Sequence, residues 1–456
     1  MKMRITEQTV LFLSIVKWLI LATIIGMIVG LSTTGFLKLL NWSTATAKLF
    51  PYTFLFMPVA FFLSILLIKK LAPDAEGHGT EKVIEAVHKK SGKIDAAVIP
   101  VKLLATVVTI AVGGSAGKEG PSAQIGAGLA SVFADIFKFK DADRKKLVIC
   151  GISAGFAAVF GTPIAGAIFG VEVLFVGSIL YDVLLPSFIA GIISFQISKF
   201  LGISYFHFPL KFIPEFNSMF FLFVILAGIF FGLCSFLLIE TLAIGKSISH
   251  SMKKLWPPLL GLIGGVFIVL LAFLISRKYL GLGLDTIENC LSGGKVNWYD
   301  FLAKSVFTSI TLNFGGSGGI ITPIFFIGAT SGAIFAQWFH LSIATFAAIG
   351  FVSLLAGAAN TPIAASIMAV ELFGPAIAPY AAVACVISFL MTGHRSVYPS
   401  QILSVRKSPQ FDVELGKEMD KIDAIYMNKK NQFRKALQLF WEIENSMEQD
   451  KDRKPE

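Results

Sequence analysis

Long stretches without a charged side chain determine what this chain can fold into. A helix needs about 20 predominantly apolar residues to cross a hydrocarbon core roughly 30 Å thick. Runs of at least that length without Asp, Glu, Lys or Arg occupy residues 18–37, 49–68, 147–171, 216–239, 255–276, 305–370 and 372–394. The run at 305–370 is long enough for two or three passes. The sequence therefore predicts an all-α protein that crosses the membrane many times.

Shorter apolar stretches at residues 103–117, 120–134 and 183–198 fall below the usual spanning length. Lipid does not satisfy the polar groups of an irregular backbone, so such segments must be covered by protein or line a polar cavity. We therefore expect a large bundle in which outer helices shield short, glycine-interrupted inner ones.

The charged residues are concentrated at the carboxyl end. Only 15% of the 456 residues are Asp, Glu, Lys or Arg, against about a quarter in soluble chains. Residues 404–456 carry 11 basic and 11 acidic side chains, so the net charge of +10 belongs to residues 1–403. This distribution excludes a globular cytosolic enzyme, a disordered chain and a coiled coil. It predicts a transmembrane domain over residues 1–403 and a polar cytoplasmic tail over 404–456.

Basic clusters flank the apolar runs, which indicates cytoplasmic loops and contact with anionic lipid headgroups rather than with nucleic acid. They are Lys69-Lys70, Lys89-Lys90, Arg144-Lys145-Lys146 and Lys253-Lys254. No small-residue cleavage site follows the basic amino terminus, so we expect no secretory signal peptide. The minimal architecture suggests the inner membrane of a prokaryotic cell.

The cysteines and histidines show no metal-binding or redox pattern. Cys150, Cys234, Cys290 and Cys385 form no C-x-x-C pair, and the six histidines form no H-E-x-x-H motif. We expect buried core thiols, no metal site and no cofactor.

The sequence contains an internal repeat. Eight of 15 positions are identical between residues 113–127 and 315–329, at an offset of 202. A second block, Thr-Pro-Ile-Ala followed by Val-Glu, occurs at 162–172 and again at 361–371. Two matched blocks in the same order indicate a duplicated membrane unit, with halves at about residues 10–210 and 211–403.

Duplicated halves with glycine- and proline-broken helices in matching places are typical of transporters. Each broken helix exposes free backbone N–H groups at its start, where the helix dipole adds roughly half a positive charge. Several such starts at the membrane midplane would bind an anion without a buried Lys or Arg. Pro121 and Pro323 fit the first turn of such helices. The alternative is that these glycines only let helices pack closely.

Glu119 stands out inside the first glycine block. It lies in Gly117-Lys118-Glu119-Gly120-Pro121, between two charge-free stretches. A charged side chain at the centre of a membrane helix costs at least about 2.5 kcal/mol, so an acid there is a functional candidate. Beside helix starts that attract anions, its carboxylate would occupy the anion's place until protonation releases it. The alternative is an interfacial Lys118–Glu119 pair that caps a helix.

At these residues the chain resembles the CLC family of chloride channels and proton-coupled chloride exchangers, over about residues 10–403. Residues 117–121 match the family's GKEGP signature, whose glutamate is the gate. Residues 318–323, Gly-Gly-Ile-Ile-Thr-Pro, match its GGxFxP signature, and Tyr398 is similar to the tyrosine whose hydroxyl contacts the central anion. The resemblance implies two inverted repeats of tilted, broken helices and a homodimer with one pore per subunit.

The resemblance also implies the residues of the anion site and its ion, chloride. The implied anion-binding residues are Gly77, His78, Gly79, Gly117, Lys118, Glu119, Gly120, Gly319, Ile320, Ile321 and Tyr398. Backbone N–H groups near His78, Glu119, Ile320 and Ile321, together with the tyrosine hydroxyl, would replace the water around the ion. They would bind the ion weakly enough for it to leave.

The chain departs from the family pattern at three positions. His78 replaces a serine of the usual GSGIP signature, and a histidine is larger and titrates near pH 6.5; the alternative is a loop histidine that presents only its backbone to the ion. Ile321 replaces a common phenylalanine, at a position that contributes its backbone. Val173 stands where exchangers commonly carry the inner glutamate that relays protons, and valine carries none.

Val173 favours passive, pH- and voltage-gated conduction of chloride, and the alternative is chloride/proton antiport at the same site. Fluoride specificity is a weaker variant, because fluoride exporters of this family depart from the GKEGP pattern. Glu172 recurs as Glu371 in the second half, which suggests a structural acid rather than a relay.

Two other classes of function fit less well. A phosphate loop requires Gly at position 112 and Ser or Thr at position 119, where this chain has Val and Glu, so nucleotide hydrolysis is not expected. A scaffold without transport has no use for paired broken helices with a buried acid. In the tail, Phe433, Leu437, Phe440 and Trp441 predict one amphipathic helix, packed on the body or lying on the membrane.

Overall fold

The computed structural model describes residues 2–210, 217–252 and 254–422, and most of them are helical. The amphipathic helix predicted for the tail lies outside these residues. The helices of the first half are α1 (Lys2–Lys48), α2 (Met57–Leu71), α3 (Thr80–Lys89), α4 (Val98–Ala111), α5 (Glu119–Ile136), α6 (Asp141–Phe160), α7 (Pro163–Glu172) and α8 (Tyr181–Phe200).

The second half repeats this series. Its helices are α9 (Ser218–Ser251), α10 (Pro257–Leu274), α11 (Leu284–Leu291), α12 (Asp300–Asn313), α13 (Ile321–Trp338), α14 (Ile343–Ala359), α15 (Pro362–Phe373) and α16 (Ala378–Met391). Short 3₁₀ helices occupy Thr53–Phe56, Pro73–Ala75, Arg277–Tyr279, Pro375–Ile377 and Met419–Lys421. The strands β1 (Phe175–Val176) and β2 (Ile402–Leu403) pair in parallel.

The two series match in order, and two helix pairs also match in length. Helices α4 and α12 have 14 residues each, and α5 and α13 have 18 each. Both pairs begin 202 positions apart, the offset of the repeated glycine blocks. The predicted fold class, two repeats of partly broken membrane helices, is confirmed.

Outer helices shield inner ones, as the short apolar stretches predict. Within the described residues, six helices are long and apolar enough to span a membrane. In α1 only 28% of the most apolar window is buried inside the protein, against 89% in α13. Helix α13 therefore runs through the middle of the bundle, where protein covers its backbone.

Some repeated glycines serve close packing, the alternative interpretation of the glycine blocks. A Cβ at Gly126 of α5 would collide with the carbonyl oxygen of Gly151 in α6. Gly328 of α13 meets Gly350 of α14 in the same way. Because neither glycine has a side chain, the paired helices of each half approach backbone to backbone.

Two apolar stretches form helices whose lengths differ from those predicted by the charge-free runs. The run at 147–171 is divided between α6 and α7, because Gly161 takes a left-handed conformation (φ 74°) and Pro163 starts the next helix. The stretch at 183–198 belongs to α8, a full 20-residue helix whose first and last turns contain Asp182 and Lys199. Counting only uncharged residues missed these ends.

The segment after α16 folds back onto the basic end of the bundle. Leu403, Val413 and Met419 form a small buried cluster with Val176. The four cysteines are buried and free, as expected for core thiols.

Candidate functional site

The two glycine blocks meet at the centre of the protein. The N–H of Gly117 donates to the carbonyl of Gly319 at 2.7 Å, and the N–H of Gly319 donates to the carbonyl of Gly117 at 2.6 Å. These residues are 202 positions apart and form an antiparallel bridge. The pseudo-twofold relation between the halves therefore passes through this pair, immediately before the starts of α5 and α13.

Hydroxyl groups hold the glycine blocks from both sides, in the same two-fold arrangement. The Thr311 hydroxyl accepts the N–H of Ser115 at 3.1 Å, and the Thr109 hydroxyl accepts the N–H of Ser317 at 2.9 Å. The serine hydroxyls lie 3.0 and 3.2 Å from the hydroxyls of Thr308 and Thr106. All six side chains are buried. This network fixes the path of the backbone that precedes each helix start, which hydropathy alone did not indicate.

Glu119 is the first residue of α5 and is buried, with 1% of its surface exposed. Its carboxylate reaches across to the start of α13. The Thr322 hydroxyl donates to its Oε1 and Oε2 at 2.6 and 2.7 Å, and the Thr322 N–H donates to Oε2 at 3.1 Å. The negative charge thus occupies a helix start, the position predicted for an anion.

Thr322 is a functional candidate that the sequence reasoning missed. It is part of the second glycine signature, whose backbone N–H groups, and not the Thr322 hydroxyl, were predicted to bind the anion. Gly117 also touches this arrangement, because a Cβ there would collide with Oε2 of Glu119 and lie 2.9 Å from the N–H nitrogen of Thr322. Only glycine leaves room for the carboxylate.

The first signature, residues 77–79, packs against the start of α5. The carbonyl of His78 lies directly against Gly120, where any Cβ would collide with it. Gly77 and Gly79 have φ values of 82° and 81°, a left-handed backbone conformation that glycine adopts at little cost. Gly120 also approaches Gly319, since the same Cβ would lie 3.1 Å from the Gly319 Cα. The structure therefore brings the starts of α3, α5 and α13 together.

A buried lysine holds the loop before α3. Lys102 of α4 is fully buried, and its Nζ donates to the carbonyls of Ala75 and Gly77 at 3.1 and 2.6 Å. Lys304 of α12 does the same for Tyr279 and Gly281 at 3.0 and 2.8 Å. The sequence reasoning missed both lysines, although a charge at the same place in two matched apolar helices was a readable signal.

Tyr398 is fully buried, and its hydroxyl lies beside the hydroxyl of Thr80, the first residue of α3. The N–H of Val397 donates to the carbonyl of Ala358, which ties this segment to α14. The structure thus adds Tyr398 to the three helix starts.

Val173 is buried at the end of α7, and its carbonyl accepts a hydrogen bond from Gln401 Nε2 at 2.8 Å. Its neighbour Glu172 accepts the N–H groups of Ile363 and Ala364 at 3.0 and 2.8 Å, at the start of α15. Glu371 accepts the N–H groups at the start of α7 in return. Each acid thus caps the opposite helix, in agreement with a structural role.

A cavity of about 310 Å³ opens beside Glu119. Lys118, Glu288 and Thr322 contribute polar groups to its wall, and Phe160 and Phe325 contribute apolar ones. Lys118 occupies the N-cap position of α5 but makes no side-chain cap hydrogen bond. No cluster of three or more metal-ligating side chains occurs among the described residues.

Helix starts that meet at the centre, a buried carboxylate at one of them and a duplicated bundle are typical of a membrane protein that carries anions. Residues 60–393 match the family described as voltage gated chloride channel. A chloride/fluoride channel protein of Pseudomonas syringae pv. tomato is 36% identical over 408 residues, which cover 88% of this chain and 89% of that protein. The chain belongs to the CLC family of anion channels and transporters.

Two further relatives are similar over most of the chain. An H(+)/Cl(-) exchange transporter ClcA of Klebsiella pneumoniae is 26% identical over 393 residues, covering 78% of this chain and 80% of that protein. A crystal structure of a CLC-type fluoride/proton antiporter is 29% identical, with a TM-score of 0.80, covering 85% of this chain and 98% of that chain. The chain is thus a multi-pass membrane protein for anion transport and not an enzyme.

Proposed function

We propose that the protein exchanges a small halide ion for protons across the membrane, with Glu119 as the protonatable gate. The observation that carries the proposal is the Glu119 carboxylate bound at the start of α13. An ionised carboxylate at a helix start excludes a free anion from it by like-charge repulsion. A proton removes that charge, so proton binding and anion binding are linked at one place.

The relatives support exchange over passive conduction. The similar structure at 29% identity is described as a fluoride/proton antiporter, and the Klebsiella relative is named as a proton/chloride exchanger. Our sequence reasoning favoured passive conduction and kept exchange as the alternative. Passive conduction is the second candidate, supported by the aliphatic Val173 and by the name of the Pseudomonas relative.

The anion would be bound by groups from both halves. Backbone N–H groups at the starts of α3, α5 and α13, near His78, Glu119, Ile320 and Ile321, would replace its water together with the Tyr398 hydroxyl. Lys118 would raise the anion concentration at the mouth of the cavity. We propose chloride or fluoride as the ion, since both occur in the names of the relatives.

We also propose a homodimer in the cell membrane, each subunit with its own pathway. The support is the family resemblance. The repeat halves would extend over about residues 10–210 and 211–403. Residues 404–456 would form the cytoplasmic tail, on the side where basic clusters accumulate.

The test is efflux from liposomes that contain the purified protein, with external anion and pH recorded together. Chloride and fluoride are measured in separate experiments. Protons driven against their gradient by a halide gradient, at a fixed ratio, would support exchange. Halide efflux without proton movement would contradict exchange and support passive conduction. Liposomes without protein provide the baseline for both readings.

A further inference from the structure

Glu81 is a partly buried acid that the proposed gate does not use. It is the second residue of α3, and its Oε1 accepts the N–H of Ser400 at 3.0 Å and the Ser400 hydroxyl at 2.6 Å. Its Oε2 is buried and has no hydrogen-bond partner among the described residues. No other carboxylate oxygen in that part of the chain is both buried and unpartnered.

This asymmetry suits a protonated carboxyl group. A neutral carboxyl has one carbonyl oxygen, which accepts hydrogen bonds, and one hydroxyl oxygen, which donates. Oε1 with its two donors fits the carbonyl, and Oε2 fits the hydroxyl. If the group were ionised, half of its charge would lie on a buried atom without a donor, which is costly.

The unpartnered oxygen belongs to a group of polar atoms that leads towards Glu119. Thr80 Oγ1, the Tyr398 hydroxyl and His78 Nδ1 are also buried, and the Thr80 hydroxyl lies beside the Tyr398 hydroxyl. The carbonyl of His78 packs against Gly120, the residue that follows Glu119. Ser400, which holds Glu81, is two residues from Tyr398, so one short segment touches both Glu81 and the Thr80 hydroxyl.

Other acids on this side of the bundle are already paired. Glu76 binds Lys69 and Glu85 binds Lys82, at 2.7 and 2.9 Å. Glu172 uses both oxygens to cap α15. The charged groups that act on Glu81 are Glu85 of its own helix and Lys246 of α9.

We propose that Glu81 transfers protons between the basic, cytoplasmic side and Glu119, in place of an acid at Val173. A proton from water binds Oε2, then passes by way of the polar atoms around the Tyr398 hydroxyl to the Glu119 carboxylate. Each group returns to its starting state when it releases the proton, and no other bond changes. The inference rests on the proposed exchange of halide for protons.

The test compares the wild type, Glu81→Gln and Glu76→Gln in liposomes, with halide and proton fluxes measured together. Glutamine keeps an oxygen for Ser400 but does not carry a proton. For Glu81→Gln we expect halide flux to continue while the number of protons per halide falls at least tenfold. Glu76→Gln is the matched control, an exposed acid on the same side that pairs with Lys69, and should keep the wild-type ratio.

The outcomes separate this inference from the proposed function. A wild type without coupled protons would overturn both. A wild type that couples protons, with Glu81→Gln at the same ratio, would overturn the role of Glu81 and leave exchange standing. If Glu81 only anchored Ser400, Glu81→Gln would have a lower melting temperature and an unchanged ratio of protons to halide.

A second variant decides the matter if Glu81→Gln does not fold or does not transport. Ser400→Ala removes one donor to Oε1 and keeps the carboxyl group. Since the lost donor stabilises the ionised form, we expect the pH of half-maximal proton flux to rise by about one unit. Proton flux with the wild-type pH profile would contradict the proposal.

Discussion

The hydroxyl of Thr322 lies 2.6 and 2.7 Å from the two carboxylate oxygens of Glu119, although the two residues belong to different repeats. The acid of one half is thereby held at the helix start of the other. Such a contact forms only when the Gly117–Gly319 bridge aligns both helix starts. The position of the proposed gate therefore depends on contacts between the two repeats.

Replacing Thr322 by valine should move the pH dependence of transport upward. The substitution removes the hydroxyl and retains the N–H that donates to Oε2. A hydrogen bond to a charged group contributes about 1.5–3 kcal/mol, and one pH unit corresponds to about 1.4 kcal/mol. Because the hydroxyl stabilises the ionised, closed form, we expect half-maximal halide flux at a pH about one unit higher. Thr330→Val, one hydroxyl further along α13, should leave the profile unchanged.

Replacing Glu119 by alanine should remove the pH dependence of halide flux and uncouple it from protons. Alanine cannot occupy the start of α13, so the pathway stays open at every pH. The measurement is halide efflux from liposomes between pH 5 and 8, with proton flux recorded. Efflux that still changes with pH as in the wild type would mean that another group is the gate.

The sequence predicted the parts of this site that depend on repeats and motifs. The two glycine blocks, Glu119 and Tyr398 were identified from spacing and resemblance, and the structure brings them together. Thr322 and Lys102 were missed, because their roles depend on which residue of the other half or of a distant loop they meet. Residues 203 positions apart in sequence give no periodic signal.

The pattern of apolar residues also did not predict where some helices end. The helix break at Gly161 falls inside a run without charged residues. Its only sign in the sequence is a glycine shortly before Pro163, and that glycine adopts a left-handed conformation. The charged ends of α8 had the opposite effect, since Asp182 and Lys199 made a full-length helix look short. Hydropathy indicates which residues face lipid, but it does not indicate where a helix begins or ends.

Replacing Glu172 by glutamine should destabilise the protein without changing the ratio of protons to halide. The carboxylate caps two N–H groups at the start of α15, and the neutral amide retains one good acceptor. We expect a loss of about 2 kcal/mol in the free energy of unfolding, measured by thermal or denaturant unfolding in detergent. A changed ratio at unchanged stability would instead make Glu172 part of the proton path.

The contact between Glu418 and Lys89 predicts how the tail responds to pH. Hydrogen bonds from Lys421 and Lys89 lower the pKa of Glu418, and Glu418 raises the pKa of Lys89. A lowered glutamate pKa stabilises the fold above its ordinary value of about 4.3, and this contribution disappears as the pH falls through the lowered pKa. A raised lysine pKa stabilises the fold below the ordinary lysine pKa of about 10.4. This stabilisation is lost as the pH rises through the raised pKa.

Glu418→Gln should therefore lower stability between these limits and have no effect beyond them. The Lys89 side chain is 45% exposed, so the difference should stay below about 1 kcal/mol. The measurement is the rate at which a protease cleaves between β2 and residue 422, compared with the wild type at pH 7 and with Glu414→Gln as the exposed control. Since β2 pairs with the strand that follows α7, faster cleavage in Glu418→Gln alone would mean that this contact holds the tail on the membrane domain. Equal cleavage of all three proteins would assign that role to the buried cluster around Leu403 instead.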